Sequence, residues 1–235
     1  MNAYHKETGT PQGLTAWHNL GSCGSLFERL LLFQDSAGHD AAWNMAVDEA
    51  LVRSMHVPLL RIYGWSRPAL SFGCFQPYAE IEPLSAGREV VRRWTGGGTV
   101  LHGEDFTYSL IFPRNSKLGR MSAADSYCAI HRTMTAGFGA SLATAGDAGL
   151  GGACFTKPVT ADVMRDGKKI AGAAQRRTRD AVLHQGSIQG VSVPMDFGLW
   201  FAESLEPFEL PEPLVEQARA LVETRYGTSA WTFRF

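Results

Sequence analysis

The segment Arg92-Arg93-Trp94-Thr95-Gly96-Gly97-Gly98-Thr99-Val100-Leu101-His102 places three consecutive glycines between two runs that are typical of β-strands. Glycine reaches positive φ without steric cost and has no Cβ, so such a turn can gather several backbone N–H groups in one concavity. Arg93 stands just before the turn and can bind a carboxylate or phosphate through two parallel hydrogen bonds. The segment therefore predicts an anion-binding turn. The alternatives are a plain glycine hairpin and, for His102, a structural role.

A second informative stretch, residues 160–175, contains Asp166-Gly167 between two strand patterns, and this dipeptide is the usual loop of a two-residue β-hairpin. The register then predicts three cross-strand pairs: Arg165 with Lys168, Met164 with Lys169, and Asp162 with Ala171. Because side chains alternate along a strand, Asp162 and Lys169 become diagonal neighbours on one face. Small residues follow Lys169, so the sequence predicts a groove with one cation. The alternative is that Lys168 and Lys169 are both solvated at the hairpin tip.

Outward from these two segments, hydrophobic periodicity predicts two clear helices. Asp40 caps the first, which ends before Pro58, and Ser122 caps the second, where Asp125 completes a capping box. Residues 26–34 form a strand or a short helix. Turn signals predict short strands and two later helices: strands at 59–65, 69–75, 89–94, 99–102, 106–112, 159–165, 168–177 and 181–193, helices at 197–203 and 213–224.

This order of elements predicts a mixed α+β fold with a largely antiparallel sheet flanked by helices. We expect one catalytic domain over residues 26–235, without an accessory C-terminal domain, after an N-terminal extension at residues 1–25. Lysine plus arginine number 22 against 23 acids, and 22 − 23 gives a net charge of −1. That balance supplies no global field for nucleic acid or an anionic membrane, so neither is expected as a partner.

The cysteines favour a reducing compartment. Cys23, Cys74, Cys128 and Cys154 are scattered without a C-x-x-C pair, which argues against a zinc site or a disulfide framework. No apolar stretch suits export or a membrane span, so we expect a cytoplasmic protein. Cys154 follows the glycine-rich residues 146–152. It is either a small buried hydrophobe or a nucleophile.

Four motifs together resemble the lipoate–protein ligase A family of the biotin/lipoate ligase catalytic superfamily. They are NMAVDEAL at 44–51, RRWTGGGTVLH at 92–102, DGKKIAGAAQRR at 166–177 and LHQGSI at 183–188. The resemblance implies the biotin/lipoate ligase-like fold and an enzyme that attaches lipoate or octanoate to a lysine of a lipoyl domain. The expected acceptors are 2-oxoacid dehydrogenase complexes or the glycine-cleavage H protein.

The same resemblance implies roles for individual residues. Lys169 would bind the acyl carbonyl and phosphate oxygens of an acyl-adenylate made from ATP with Mg²⁺, and Asp162 would place the adenylate or the attacking amine. No direct protein ligand for a metal is predicted. The remaining positions would line the substrate and nucleotide site: Arg93, Thr95, Gly96, Gly97, Gly98, His102, Gly172, Ala173, Ala174 and His184.

Within the superfamily, the motifs leave a choice of reaction. Octanoyltransferases form an acyl-thioester on a cysteine before the Asp-lysine hairpin, and Cys154 fits that position. They usually replace the third glycine of the turn by a larger residue, however, whereas Gly98 is retained here. We therefore expect an ATP-dependent lipoate–protein ligase, with a separate accessory subunit as an option. An ATP-independent octanoyltransferase and a non-catalytic binder of lipoyl domains are the alternatives.

Overall fold

The computed structural model of the chain describes residues 24–147 and 158–234. Eleven strands form in this part of the chain: β1 (Phe27–His39), β2 (Leu59–Trp65), β3 (Ala69–Phe72), β4 (Glu89–Arg92), β5 (Val100–His102), β6 (Phe106–Pro113), β7 (Ser141–Leu142), β8 (Val163–Arg165), β9 (Lys168–Arg177), β10 (Ala181–Ile188) and β11 (Ala202–Pro207). The α-helices of the same residues are α1 (Ala41–Ser54), α2 (Lys117–Arg120), α3 (Ala123–Phe138), α4 (Glu212–Leu221) and α5 (Ser229–Thr232).

The larger of the two sheets has eight strands in the order β11-β1-β2-β6-β10-β9-β8-β7. β1 runs parallel to both β11 and β2, and every pairing from β2 to β7 is antiparallel. β6 and β10 carry near-continuous buried residues because they lie in the middle of the sheet. The predicted mixed, largely antiparallel sheet flanked by helices is confirmed.

The smaller sheet holds the glycine-rich segment. Its order is β4-β3-β5, with β4 parallel and β5 antiparallel to β3. β4 and β5 therefore lie on opposite sides of β3, and residues 93–99 cross the end of β3 to join them. The glycines do not form a hairpin between adjacent strands, which removes the plainest alternative for this segment.

Helix α1 lies between the two sheets and carries an apolar face into a shared core. Asp40 accepts a hydrogen bond from the Trp43 N–H at 2.7 Å, as its predicted capping role requires. Ser122 caps α3 by accepting from the Asp125 N–H at 3.0 Å, which is also as predicted. The core around α1 joins helix and both sheets through Ala46, Ala50, Leu51, Leu59, Val91 and Ile111.

Three local predictions are wrong or incomplete. Of the two alternatives left open for residues 26–34, the strand is confirmed, because β1 begins at Phe27. The expected helix over residues 197–203 is a 3₁₀ turn, Phe197–Trp200, followed by β11. The open edge of β1 provides backbone partners for β11, and this tertiary pairing overrides the local pattern. The expected helix over residues 213–224 is α4, which continues as a wider π-helical turn at Val222–Tyr226.

The hairpin of β8 and β9 has the predicted tip but not the predicted register throughout. Arg165 pairs with Lys168 and Met164 with Lys169, but Val163, rather than Asp162, pairs with Ala171. Ile170 is thus the extra residue of a β-bulge, and a bulge reverses the alternation of faces beyond it.

No helix within residues 24–147 and 158–234 has the length and apolar character of a transmembrane span.

Candidate active site

A cavity lies where the glycine-rich segment of the small sheet faces β9 and β10 of the large sheet. The small sheet and its connection contribute Ser71, Arg93, Gly97, Gly98, Thr99, Val100 and His102. The other wall is formed by Met45, Tyr63, Trp65, Thr107, Lys169, Gly172, Ala173, Ala174, Gln185, Gly186 and Ser187. The two motifs that were singled out separately in the sequence therefore line one cavity.

Lys169 reaches this cavity from the hairpin and is held by an ion pair. Its Nζ lies 2.8 Å from Oδ2 of Asp162, whose side chain is fully buried. A Cβ at Gly172 would stand 2.5 Å from the Nζ, so the ammonium group lies directly over that glycine. The bulge at Ile170 explains why Gly172, rather than Ala171, follows Lys169 on this face.

Asp162 is fixed by more than the lysine. It accepts from the Val159 N–H at 2.7 Å and from the hydroxyl of Tyr127 on α3. Tyr127 in turn accepts from the Ala173 N–H at 3.0 Å. Burial and the neighbouring Asp162 carboxylate raise the pKa of Tyr127 well above its ordinary range, so its hydroxyl stays protonated and donates. The carboxylate is consequently oriented before any ligand binds.

The backbone of the glycine turn lies very close to the backbone of Gly73. Gly97 has φ +81°, a conformation that favours glycine, and a Cβ at Gly73 would lie 1.9 Å from the Gly97 carbonyl oxygen. The turn thus needs glycine at two places, one within it and one beneath it. An added Cβ at Gly97 would also meet Ala174 at 3.3 Å, which brings the turn against β9.

Arg93 is hydrogen-bonded within its own turn. Its guanidinium is buried and donates to the carbonyl oxygens of Gly96 at 3.0 Å and Gly98 at 2.7 Å. It also donates to the side chains of Ser71 and Thr95. These hydrogen bonds direct the guanidinium into its own turn, and Arg93 also lines the cavity, so its expected contact with a ligand stays a prediction.

His102 is buried and hydrogen-bonded on both sides. Nδ1 lies 2.8 Å from Oδ2 of Asp105, and Nε2 lies 2.7 Å from the Ser71 hydroxyl oxygen. Trp65 stacks on the ring at a centroid distance of 4.0 Å. Burial lowers the pKa of His102, although Asp105 opposes this, so the imidazole is neutral at physiological pH.

Thr95 is also buried and forms part of the support of the turn. Its hydroxyl donates to Oε1 of Gln185 at 2.7 Å, and the Gln185 amide nitrogen donates to Asp48 at 2.7 Å. Asp48 accepts from Arg61 at 2.8 Å as well. Sequence reasoning missed Asp48 and Gln185, although an acid inside the apolar stripe of α1 was a detectable signal.

One further predicted residue, His184, does not line this cavity. His184 lies in the core, between the hydroxyl of Tyr108 at 3.3 Å and the amide of Gln175 at 3.2 Å, so its assignment to the substrate wall is corrected. β10 alternates faces, and its neighbour Gln185 takes the cavity side. Cys154 lies outside the described residues. Across the described ranges, no group of three or more His, Cys, Asp or Glu side chains could hold a metal ion.

Comparison with known proteins adds the family context. Residues 40–196 match the family model described as the lipoyl protein ligase A/B catalytic domain. The chain is 39% identical over 168 residues to octanoyltransferase LipM of Kyrpidia tusciae, covering 63% of the chain and 61% of that relative. It is 32% identical over 183 residues to octanoyltransferase LipM of Oceanobacillus iheyensis, covering 72% and 67%. The match thus spans about two thirds or less of these curated relatives.

Solved structures share the fold. A putative lipoate protein ligase of Thermoplasma acidophilum with bound lipoic acid superposes with a TM-score of 0.66 at 22% identity, over 89% of this chain and all of that one. A lipoate-protein ligase A bound with ATP superposes with a TM-score of 0.64 at 23% identity, over 88% and 98%. At this identity the likeness concerns the fold alone.

The relatives correct the expected reaction. The expectation of an ATP-dependent ligase with Mg²⁺ and an acyl-adenylate is wrong, because curated relatives at 31–39% identity are octanoyltransferases. The expectation of an enzyme is confirmed, since the curated relatives are octanoyltransferases. The retained Gly98 was the sequence feature that favoured the ligase, and it does not decide the reaction, because the curated relatives are octanoyltransferases.

Proposed function

Because the chain belongs to the lipoyl protein ligase A/B catalytic domain family, we propose that it is an octanoyltransferase. It transfers an octanoyl group from a thioester donor to the side-chain amine of a lysine on a lipoyl domain. The observation that carries this proposal is the identity of 31–39% to curated octanoyltransferases, over alignments of 168 to 196 residues. The proposed acceptors are the lipoyl domains of 2-oxoacid dehydrogenase complexes or the glycine-cleavage H protein.

The cavity supports acyl transfer without ATP. A thioester is already activated, so the enzyme has only to hold the acyl group and stabilise the negative charge that develops on its carbonyl oxygen. The Lys169 ammonium group, anchored by Asp162, supplies a positive charge at the wall opposite the glycine turn. A positive charge at this place stabilises the negative charge that grows on the acyl oxygen in the transition state.

We propose Cys154 as the nucleophile, on its position in the sequence before the hairpin. Its thiolate attacks the donor thioester, forms an octanoyl-cysteine and releases the donor thiol, which takes up one proton. The acceptor lysine amine then attacks the octanoyl-cysteine, forms the amide and returns a proton to the departing cysteine. The thiol is regenerated and no cofactor is consumed.

The test is mass spectrometry of a purified lipoyl domain after incubation with the protein. One reaction contains an octanoyl thioester of acyl-carrier protein without ATP; the other contains free octanoate with Mg·ATP. We expect an octanoylated lipoyl domain in the first reaction. Modification in the second reaction alone would overturn the proposal.

Cys154→Ser tests the nucleophile, with Cys128→Ser as its matched control. Cys128 is a free, half-buried thiol on α3. We expect Cys154→Ser to abolish thioester-dependent transfer and Cys128→Ser to retain it. Full activity of Cys154→Ser would contradict the covalent step. Octanoyl transfer would then have to pass directly from donor to acceptor, and the same assay would measure it.

A further inference from the structure

Arg93 connects the glycine turn to the buried polar groups of both sheets. Its side chain lies in the wall of the cavity and only 6% of the residue is exposed. Nη2 donates to the carbonyl oxygens of Gly96 and Gly98, at 3.0 and 2.7 Å. One nitrogen thus holds two peptide groups of the turn that are separated by a single residue.

A first chain of hydrogen bonds leads from Arg93 to Asp105. Nη1 lies 2.8 Å from the Ser71 hydroxyl, which lies 2.7 Å from Nε2 of His102, whose Nδ1 lies 2.8 Å from Asp105. The carboxylate can only accept, so Nδ1 carries the proton and Nε2 accepts from Ser71. Every hydrogen bond in this chain therefore donates in the direction of Asp105.

A second chain leads from Arg93 to Asp48. Nε lies 3.3 Å from the Thr95 hydroxyl, which donates to Oε1 of Gln185 at 2.7 Å. The Gln185 amide nitrogen donates to the buried carboxylate of Asp48 at 2.7 Å. The direction is the same as in the first chain. Both chains thus connect Arg93 through neutral side chains to a buried carboxylate, of which Asp48 also accepts from Arg61.

The held carbonyls determine where the turn presents its N–H groups. Each peptide is planar and none of the described peptide bonds is cis, so each N–H points opposite to the carbonyl of the same peptide. The Gly96 carbonyl faces Arg93, and the Gly97 N–H accordingly points away from it. The Thr99 N–H points away in the same manner, because the Gly98 carbonyl also faces Arg93.

The trio of Ser71, His102 and Asp105 has the spacing of a catalytic triad, but Arg93 gives it another role. In a triad the serine oxygen is free to attack a carbonyl carbon. Here that oxygen already accepts a charge-assisted hydrogen bond from Arg93 at 2.8 Å. This contact lowers its nucleophilicity and makes the serine a link between histidine and arginine.

We propose that Arg93 is a positioning residue which, held by the chains ending at Asp105 and Asp48, fixes the glycine turn so that the Gly97 and Thr99 N–H groups serve the acyl carbonyl oxygen. This inference rests on the proposed octanoyl transfer. The chains hold the turn in one orientation, and amide donors fixed in this way stabilise an oxyanion without reorganisation. Arg93 itself does not touch the acyl group.

The test compares two buried serines that each accept from an arginine. Ser71 accepts from Arg93, and Ser126 on α3 accepts from Arg177 at 3.0 Å, at a site outside the cavity wall. For Ser71→Ala we expect kcat for octanoyl transfer to fall about tenfold with an unchanged KM for the lipoyl domain, since a hydrogen bond to a charged group is lost. For Ser126→Ala we expect kcat to remain at the wild-type value.

The second chain is tested by rescue. Thr95→Val keeps the shape of the side chain but removes its hydroxyl, and Thr95→Ser restores the hydroxyl. We expect a lower kcat for the valine variant and recovery in the serine variant. In an Arg93→Met background, Ser71→Ala should have no additional effect, because both changes break the same chain. Equal losses for Ser71→Ala and Ser126→Ala, or additive losses with Arg93→Met, would overturn the proposal.

Hydrogen exchange of residues 94–102 separates this proposal from the proposed function. We expect faster exchange there in Ser71→Ala and Thr95→Val than in Ser126→Ala, whether or not the wild-type protein transfers octanoate. An inactive wild-type protein with this exchange pattern would refute octanoyl transfer alone. An active protein whose exchange in this segment is the same in all variants would refute the positioning role of Arg93.

Discussion

The glycine turn and the lysine hairpin form opposite walls of one cavity, yet they are stabilised in different ways. The turn is held from several sides by buried groups, among which Arg93 contacts two of its carbonyls. Lys169 has a flexible stem and a carboxylate partner, Asp162, at 2.8 Å. The lysine also borders a second, open depression next to Arg165 and Lys168. This difference indicates that the turn supplies fixed geometry and the hairpin supplies a charge that can adjust to the acyl group.

The largest effect is expected when the charge is removed. Lys169→Met keeps the apolar stem but deletes the ammonium group, so we expect kcat/KM for octanoyl transfer to fall about 10²–10³-fold. Asp162 then remains buried without its ion-pair partner, and we expect the free energy of unfolding to fall by about 3 kcal/mol. Kinetic assays and urea unfolding measure the two effects.

Lys168→Ala is the control for this change. Lys168 is the neighbouring residue and is exposed at the hairpin tip. Its removal should alter the free energy of unfolding by less than about 0.5 kcal/mol. A similar loss of activity in both lysine variants would mean that general positive charge, rather than the ammonium group at Asp162, matters for the reaction.

The next largest loss of activity is expected for a change at Gly73, which lies beneath the turn. Gly73→Ala would place a Cβ 1.9 Å from the Gly97 carbonyl oxygen, and because this is a contact with backbone, the turn must move. A displacement of about 1 Å in a positioning element can cost about 10²-fold in rate. We expect a loss of this order in octanoyl-transfer kcat, with a native circular dichroism spectrum. A wild-type kcat in Gly73→Ala would show that the reaction does not depend on the present position of the turn.

Gly172→Ala is the corresponding change in the hairpin and should have a smaller effect. Its Cβ would stand 2.4 Å from Cε and 2.5 Å from Nζ of Lys169, but these atoms belong to the end of a flexible side chain. The ammonium group can shift at moderate cost, so we expect about a tenfold loss in kcat. A larger loss than that of Gly73→Ala, measured in the same assay, would reverse the assignment of the rigid and adjustable walls.

The smallest effect is a pH dependence of stability, to which both walls contribute through buried histidines. Burial lowers the pKa of His131, which donates to Ala161 O beside the hairpin, from 6.5 to about 4, and it lowers the pKa of His102 as well. The unfolded chain binds these protons more readily, so stability falls as the pH drops below 6.5, and for His131 this fall continues towards pH 4. The slope for His131 is about 1.4 kcal/mol per pH unit.

Urea unfolding at pH 7.5, 5.5 and 4.5 measures this slope. The stability curve of His131→Gln should be less steep than that of wild type below pH 6.5, because one group that titrates differently in the two states has been removed. Arg132→Gln changes an exposed neighbour on α3 and should keep the wild-type slope. Parallel curves for wild type and His131→Gln would show that His131 does not titrate in this way.

The sequence was informative where the signal was local. Asp40 and Ser122 cap their helices as predicted, and Asp166-Gly167 turns its hairpin, because caps and tight turns depend on a few adjacent residues. The approach of Lys169 to Asp162 also followed from the hairpin. Each of these features is determined within a short stretch of chain.

The sequence predictions failed mainly where the conformation of a residue depends on a partner far away in the chain. The pairing of β11 with β1 and the hydrogen bond from Arg93 to Ser71 depend on contacts far apart in sequence. The choice of reaction failed because Gly98, which was attributed to a phosphate, does not distinguish a ligase from an octanoyltransferase.

The most direct test of the central claim, that the two walls act on one acyl group, is a crystal structure of the protein with octanoate bound. The account predicts one octanoate carboxylate within about 3.2 Å of both the Lys169 ammonium group and a peptide N–H of the glycine turn, at hydrogen-bond distance. A carboxylate bound to only one of these two regions, or bound outside the cavity, would contradict it.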